Sequence, residues 1–105
     1  TDATSRDLAA RESVLRTIQI AANPECYSIL EALREPQNLT TTQLVEATGL
    51  GRLTLQERTA DLVSAGLASK VPEADQVVCT AAGSAIVDLL DRAVAVASRE
   101  LAEVE

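Results

Sequence analysis

The residue types that most often carry enzymatic or metal chemistry are scarce in this sequence of 105 residues, which has two cysteines and no histidine. Without a histidine base, a phosphate-cradling glycine loop or a recognisable nucleophile arrangement, the sequence predicts a protein that is not an enzyme. Cys26 and Cys79 form no CxxC pair, so we expect no metal site and no cofactor. Asp88 and Asp91 are interpreted as charges on a helix surface that interact with water.

Cys26 has two interpretations. It is predicted in the first turn of a helix, where the helix dipole lowers a thiol pKa and favours a redox-sensing role. The simpler interpretation is that both cysteines have ordinary packing roles and stay reduced, as in most cytoplasmic proteins. The sequence leaves both interpretations open.

Polar groups with a more specific arrangement occur between Thr40 and Leu67, where the spacing predicts two short helices. Thr40 can cap the first helix, and Gln43 completes a capping box three residues later. Gly49 can adopt the left-handed conformation that ends this helix, since glycine does so without steric cost. The side chains predicted to face inward are Leu44, Val45 and Ala47.

The second helix is predicted from Arg52 to Ala65, and Gly66 ends it. Its apolar residues recur at helical spacing and are expected to face the core: Leu55, Leu62 and Val63. Two short helices joined by a tight turn form a helix-turn-helix. The pattern then changes, because residues 67–71 and 76–79 are short and partly β-branched segments separated by a turn. These segments predict a small β-hairpin, which we call the wing.

The helix-turn-helix resembles that of the winged-helix regulators of the ArsR and MarR families. Their motif leucine-serine-x-x-threonine-valine corresponds here to residues 50–55, LGRLTL, and their ending leucine-x-x-alanine-glycine-leucine to residues 62–67, LVSAGL. Their threonine-x-x-glycine entry into the last helix resembles residues 80–83, TAAG. The resemblance extends from Tyr27 to about Leu90 and implies a DNA-binding transcriptional regulator that acts as a homodimer.

This resemblance places the helix from Arg52 to Ser64 in the major groove of DNA, with its twin in the dimer about one turn of DNA away. With Leu55 facing inward, a step of about 100° per residue turns these side chains outward: Leu53, Thr54, Gln56, Glu57 and Ala60. Gln56 can pair with adenine, Glu57 can accept from cytosine N4, and Leu53 can contact a thymine methyl. The residues expected to hold phosphates are Arg52, Thr41, Thr42 and Lys70.

Two further helices are predicted before the helix-turn-helix. The first covers residues 4–22, and its apolar stripe includes Leu8, Leu15 and Ile18. Asn23 and Pro24 then begin a short scaffold helix, because asparagine caps well and proline suits the first helical position. This helix is expected to continue to about Glu35.

The last helix is predicted to start after Thr80 and to reach Val104. Its apolar stripe continues for longer than one small domain needs, and it includes Leu89, Ala93, Val96 and Leu101. In the resembling families such flanking helices pair two subunits, so the two stripes are the predicted dimer interface. The alternative is that the first and last helices cover each other within one chain.

The charge of the chain favours a competing interpretation. With 16 acidic and 9 basic residues the net charge is -7, which repels a phosphate backbone. The predicted wing carries Glu73 and Asp75 and a single basic residue, Lys70. The alternative function is therefore a winged-helix protein–protein interaction module with little or no DNA binding. No apolar run approaches the roughly 18 residues of a membrane span, and no signal peptide is recognised, so the expected location is cytoplasmic.

The sequence as a whole predicts a mostly α-helical fold with a small β-hairpin wing. This fold is a winged helix-turn-helix flanked by N- and C-terminal dimerisation helices. A chain of 105 residues supports one modest core, so we expect a single domain. Its parts are an N-terminal helix (1–22), a winged-helix core (23–80) and a C-terminal helix (81–105).

Overall fold

A computed structural model describes residues 2–34 and 38–104, and it describes side chains within residues 7–34 and 38–101. The elements in chain order are α1 (Asp2–Ala21), α2 (Pro24–Ala32), β1 (Asn38–Thr40), α3 (Thr41–Thr48), α4 (Arg52–Ser64), β2 (Ala68–Val71), β3 (Gln76–Cys79) and α5 (Ala81–Val104). This order confirms the predicted fold class, a mostly helical winged helix-turn-helix whose wing is a small antiparallel sheet.

Helix α2 begins where the sequence places its cap. The Asn23 side chain accepts hydrogen bonds from two backbone N–H groups of the first turn, at 3.0 and 3.3 Å. Pro24 follows at the first helical position, where its missing N–H has no intrahelical partner to lose. The helix ends at Ala32, earlier than the predicted end near Glu35, and the Arg34 N–H donates to the Glu31 carbonyl at 3.2 Å in the i→i−3 pattern of a tightened last turn.

The helix-turn-helix prediction is confirmed at both helices. The Gln43 N–H donates to Thr40 Oγ1 at 3.2 Å, and the Thr40 N–H donates to Gln43 Oε1 at 2.9 Å, which completes the capping box. Gly49 ends α3 in the left-handed conformation with φ of 74°. Helix α4 follows Gly51 and ends at Ser64, one residue before the predicted end.

The wing hairpin is part of a three-stranded antiparallel sheet in the spatial order β1-β3-β2. Strands β2 and β3 form the predicted hairpin, with Ala68 opposite Cys79. Strand β1 was not predicted, and it pairs with β3 so that Leu39 lies opposite Val77. Three residues are too few to show an alternating pattern, so the strand is defined only by its partner.

The core is built from aliphatic side chains of the winged helix. The largest fully buried side chains are Ile29, Leu30, Leu33, Leu44, Leu55, Leu62, Leu67, Val87 and Cys26. Two of the predicted inward positions are wrong, because Ala47 and Val63 are exposed. Val63 follows the buried Leu62 and is turned away from it by about 100°. Ala47 lines an open groove beside Tyr27 rather than the core.

The first turn of α5 is fastened to the chain segment that leads into β2. Thr80 Oγ1 accepts from the Gly83 N–H at 3.0 Å and donates to the Gly66 carbonyl at 2.7 Å. Gly83 lies so close to Leu67 that a Cβ there would be 2.1 Å from the Leu67 carbonyl oxygen. Val87 still lies in the core, and the helix leaves the core after Asp91, since residues 92–101 are all exposed. Within the described ranges, no helix is long and apolar enough to cross a membrane.

Candidate nucleic-acid interface

Helix α4 has one buried face and one exposed face. Leu55, Thr59 and Leu62 are at most 2% exposed and hold the helix against the core. The outer face presents these exposed residues: Arg52, Leu53, Gln56, Glu57 and Ala60. Leu53 is 69% exposed, so its apolar side chain is available for contact with another molecule. Thr54 is half-buried at the edge of this face. The structure therefore brings the predicted base-reading residues together on one surface.

The first turns of α3 and α4 meet at two of the predicted phosphate contacts. Arg52 Nη2 donates to Thr42 Oγ1 at 3.4 Å, and both residues are exposed. No side chain caps α4 at Gly51, so the N–H groups of its first turn have no side-chain acceptor there. A helix N-terminus beside an arginine favours an anion, because both carry positive charge.

Thr41 has a different environment from its neighbour Thr42. Its side chain is only 8% exposed, and Thr41 Oγ1 donates a hydrogen bond to Asp75 Oδ1 at 3.1 Å. This burial weighs against the prediction that Thr41 holds a phosphate, since its hydroxyl donates to a carboxylate in the turn of the wing. The pairing joins residues 34 positions apart, which local sequence patterns do not reveal.

The wing carries one cation and two carboxylates. Lys70 is exposed on β2, opposite Val77 in the ladder. Glu73 and Asp75 lie in the turn between β2 and β3, and both residues are exposed. Lys70 is therefore the wing residue that can contact a phosphate, and Glu73 opposes such a contact.

Ion pairs along α4 balance its charges. Arg58 lies 3.7 Å from Glu57 and 3.5 Å from Asp61, measured between side-chain nitrogen and oxygen atoms. The Arg58 side chain is 28% exposed, so the guanidinium stays against the protein. We did not predict this pairing, although the i,i+3 spacing of Arg58 and Asp61 signals it. Two carboxylates share this guanidinium, so α4 has no net charge once Arg52 is included.

Cys26 packs between α2 and α4, where its Sγ lies 4.0 Å from the Arg58 carbonyl oxygen. Burial raises the pKa of the Cys26 thiol, and the carboxylates of Asp61 and Glu25 add to this effect. A raised pKa lowers the thiolate fraction, on which thiol reactivity depends. Of the two interpretations of Cys26, the structure favours the packing role.

A polar cluster connects α2 to α5. The Tyr27 hydroxyl and Arg34 Nη1 both donate to the Asp91 carboxylate, and Arg34 Nη2 donates to Asp88 at 2.9 Å. The interpretation of Asp88 and Asp91 as merely solvated charges is therefore wrong, because both accept hydrogen bonds from side chains of another segment, in α2 or just after it. The partners are more than 50 residues apart, so only the folded chain brings them together.

The carboxyl groups of Glu31 and Asp91 shift each other's pKa values in opposite directions in this cluster. The pKa of Glu31 is raised, first because only a protonated Glu31 can donate a hydrogen bond to Asp91. The pKa of Asp91 is lowered, first by this Glu31 hydrogen bond and further by Tyr27 and Arg34. The hydrogen bond to Asp91 also raises the pKa of Tyr27.

The outer sides of α1 and α5 expose large apolar side chains. Their exposed fractions are 50% for Leu8, 53% for Leu15, 46% for Leu89, 46% for Val96 and 68% for Leu101. Ala93 is also exposed, whereas Ile18 is half-buried within its own chain. The same helices expose Val14, which belongs to the predicted apolar stripe of α1, and Val94, which was not predicted. In the part of the chain that the structure describes, no cluster of three metal-ligating side chains occurs.

Solved structures share this winged-helix fold. A MarR family transcriptional regulator from Silicibacter pomeroyi matches with a TM-score of 0.66 and 20% identity, over 90% of this chain and 68% of its own. A MarR family regulator from Streptomyces coelicolor matches with a TM-score of 0.64 and 18% identity, over 97% and 78%. BpsR of Bordetella bronchiseptica, whose DNA binding is regulated by 6-hydroxynicotinic acid, matches with a TM-score of 0.63 and 19% identity, over 80% of this chain and 70% of its own. No family model and no curated protein matches the sequence.

Proposed function

We propose that this chain is a sequence-specific DNA-binding transcriptional regulator that acts as a homodimer and places α4 in the major groove. The observation that carries the proposal is the outer face of α4, where Leu53, Gln56 and Glu57 are exposed on a helix whose other face is buried. A major groove about 12 Å wide admits an α-helix. The winged-helix fold shared with MarR family regulators supports the same function.

Each exposed side chain on α4 suits a particular group on a base edge. The Gln56 amide can form two hydrogen bonds with adenine, and the Glu57 carboxylate can accept from the amino group of cytosine. The isobutyl group of Leu53 can pack against a thymine methyl. The three residues lie within the first half of α4, the part of a recognition helix that contacts bases.

Phosphate contacts would come from residues at the edge of this face. Arg52 and Thr42 lie side by side at the start of the two helices, and Lys70 lies on the wing. These groups carry no sequence information, but they would fix the protein on the duplex. Thr41 is left out of this set because its hydroxyl is bound to Asp75.

The dimer interface would be formed by the apolar outer sides of α1 and α5. Leu89, Val96 and Leu101 recur along a helix that has no core beneath its second half. A second copy of the chain can cover these side chains, and burying each one stabilises the dimer by about 1–2 kcal/mol. Two-fold pairing would also present two α4 helices to one face of DNA.

The acidic character of the chain favours one second candidate, a winged-helix interaction module that binds another protein. The net charge is -7, and the turn of the wing exposes Glu73 where a phosphate contact would need a cation. In this case the exposed Leu53 would contact a protein partner rather than a thymine methyl.

A salt titration on selected DNA distinguishes the two functions. The protein is incubated with a random DNA pool, bound fragments are enriched and sequenced, and the affinity for the best fragment is measured by fluorescence anisotropy. DNA binding through phosphates predicts that log K falls with log salt by about 0.9 for each phosphate contacted. Failure to enrich any sequence, together with affinity that does not depend on salt, would favour the interaction module.

A further inference from the structure

We propose that Asp75 is a positioning residue of the DNA interface, which fixes the wing to the first turn of α3 through its hydrogen bond with Thr41. The inference rests on the DNA-binding function proposed above. It concerns the geometry with which the wing and α4 meet the duplex, and it assigns no base or phosphate contact to Asp75 itself.

Asp75 and Thr41 are joined by a direct side-chain hydrogen bond. Thr41 Oγ1 donates to Asp75 Oδ1 at 3.1 Å, and the Thr41 side chain is 8% exposed. The donor hydroxyl is shielded from water, so a bond lost here is not readily replaced by one with solvent. The bond therefore ties the turn of the wing to the helix-turn-helix.

The second observation is the backbone of Asp75. Its φ of 47° lies in the left-handed region, which a residue with a side chain rarely adopts. Aspartate tolerates this conformation better than most residues, since its short polar side chain can hydrogen-bond locally. From this left-handed turn the carboxylate reaches the Thr41 hydroxyl. Glycine is the residue that most often adopts this left-handed conformation. Here the position is an aspartate, and its carboxylate accepts the hydrogen bond from Thr41.

The third observation is that a backbone pairing adjoins the side-chain contact. Gln76, the residue after Asp75, lies opposite Thr40 in the β1–β3 ladder. Two successive wing residues are thus attached to two successive residues at the start of α3. Strand β2 is in turn paired with β3, with Lys70 opposite Val77. The position of Lys70, the only basic residue of the wing, therefore follows from this attachment.

The attachment also gives a role to a carboxylate that, on charge alone, opposes DNA binding. The Asp75 carboxylate lies at the N-terminus of α3, where the partial positive charge of the helix favours an anion. One oxygen of this exposed carboxylate is engaged by the Thr41 hydroxyl within the protein. An acidic residue at this place in the wing is therefore compatible with DNA binding.

The first part of the test measures the wing without DNA, by hydrogen exchange of the backbone amides in β2 and β3. The variant T41V removes the donor hydroxyl, and T41S is its matched control because it keeps the hydroxyl. D75N keeps an acceptor oxygen at Oδ1 and removes the charge. We expect T41V to speed exchange of wing amides about fivefold, and T41S and D75N to leave it near the parent rate. Amides of α2 serve as the control for global unfolding.

The second part measures DNA affinity with the best fragment from the selection. T41V is expected to bind every sequence about three- to tenfold more weakly with an unchanged base preference. The reason is that the wing is no longer held in position, whereas no contact with a base is removed. T41S and D75N should bind at least as tightly as the parent. Faster wing exchange with weaker DNA binding in T41V alone supports the proposal.

Three results overturn the inference. Unchanged exchange in T41V means that the bond does not hold the wing. Faster exchange with unchanged affinity means that the position of the wing does not matter to DNA. If D75N binds DNA as weakly as T41V does, the charge of the carboxylate and not the hydrogen bond determines DNA affinity. A parent protein that binds no DNA refutes the proposed function, and with it the role of Asp75 at a DNA interface, whereas these three results appear only in the variants.

Discussion

Replacing Gly83 with alanine should destabilise the protein, because Gly83 lets α5 approach the backbone of Leu67. A Cβ at this position would lie 2.1 Å from the Leu67 carbonyl oxygen and 3.0 Å from Cys79 Sγ. The first distance is more than about 1 Å shorter than a van der Waals contact, and a backbone atom cannot rotate away as a flexible side chain can. The first turn of α5 must therefore move.

The loss of stability in G83A has two sources, steric overlap and a broken hydrogen bond. Forcing a methyl group into a packed site costs about 1–3 kcal/mol. The Leu67 carbonyl also accepts from the Thr80 N–H at 3.2 Å, and loss of such a bond costs about 1 kcal/mol. Alanine regains about 1 kcal/mol through its higher helix propensity. We therefore expect G83A to lower the free energy of unfolding by about 2 kcal/mol.

The assay is urea denaturation followed by circular dichroism at one fixed protein concentration, because dimerisation contributes to stability. The expected loss moves the midpoint to lower urea by about 1 M. G51S is the matched control, since a Cβ at Gly51 has no atom within 4 Å and serine is a good N-cap. A G83A protein as stable as the parent would refute the packing argument at this site, whatever G51S shows.

The remaining predictions concern DNA reading, assembly and pH. Q56A should weaken binding by about 1–3 kcal/mol at one base position and relax the preference there. R52A should instead weaken binding to all sequences alike and lower the salt slope by about one phosphate contact. Fluorescence anisotropy on single-base variants of the selected fragment checks both, and equal behaviour of the two protein variants would count against the assignment. V96D should convert a dimer to a monomer in light scattering. Ser98 lies about 200° around α5 from Val96, so S98D should keep the parent mass. A dimeric V96D would exclude this face of α5 as the interface. E31Q should be more stable than the parent at neutral pH, because the raised pKa of Glu31 means that its contribution is present at low pH and is lost as pH rises through that pKa. The advantage of E31Q in urea denaturation should therefore shrink as pH falls, and an advantage that does not change with pH would contradict a raised pKa of Glu31.

The helix-turn-helix was predictable because its boundaries are set by neighbouring residues. Thr40 and Gln43 satisfy each other's backbone N–H groups across three residues, and Gly49 supplies a conformation that other residues adopt at a cost. The same is true of Asn23, which caps the helix that starts at the next residue. Each of these signals lies within one turn of the chain, so the sequence alone carries the information.

The outer face of α4 was predictable for a similar reason, since one buried leucine sets the rotation of a whole helix. With Leu55 inward, helical geometry places Gln56 and Glu57 outward, and both are exposed. Periodicity was less reliable at positions beside a buried residue. Val63 is exposed although it is apolar, because its neighbour Leu62 occupies the core position.

Only the tertiary structure decided the contacts between distant segments. Strand β1 has three residues and no pattern of its own, and it becomes a strand only because β3 lies beside it. Thr41 looked like an exposed residue at a helix start until the turn of the wing brought Asp75 to its hydroxyl. Arg34 reaches Asp91 in the same way, across more than 50 residues. Local capping and helical periodicity act over a few residues, whereas these partners are chosen by how the helices and the sheet pack, which no short stretch of sequence records.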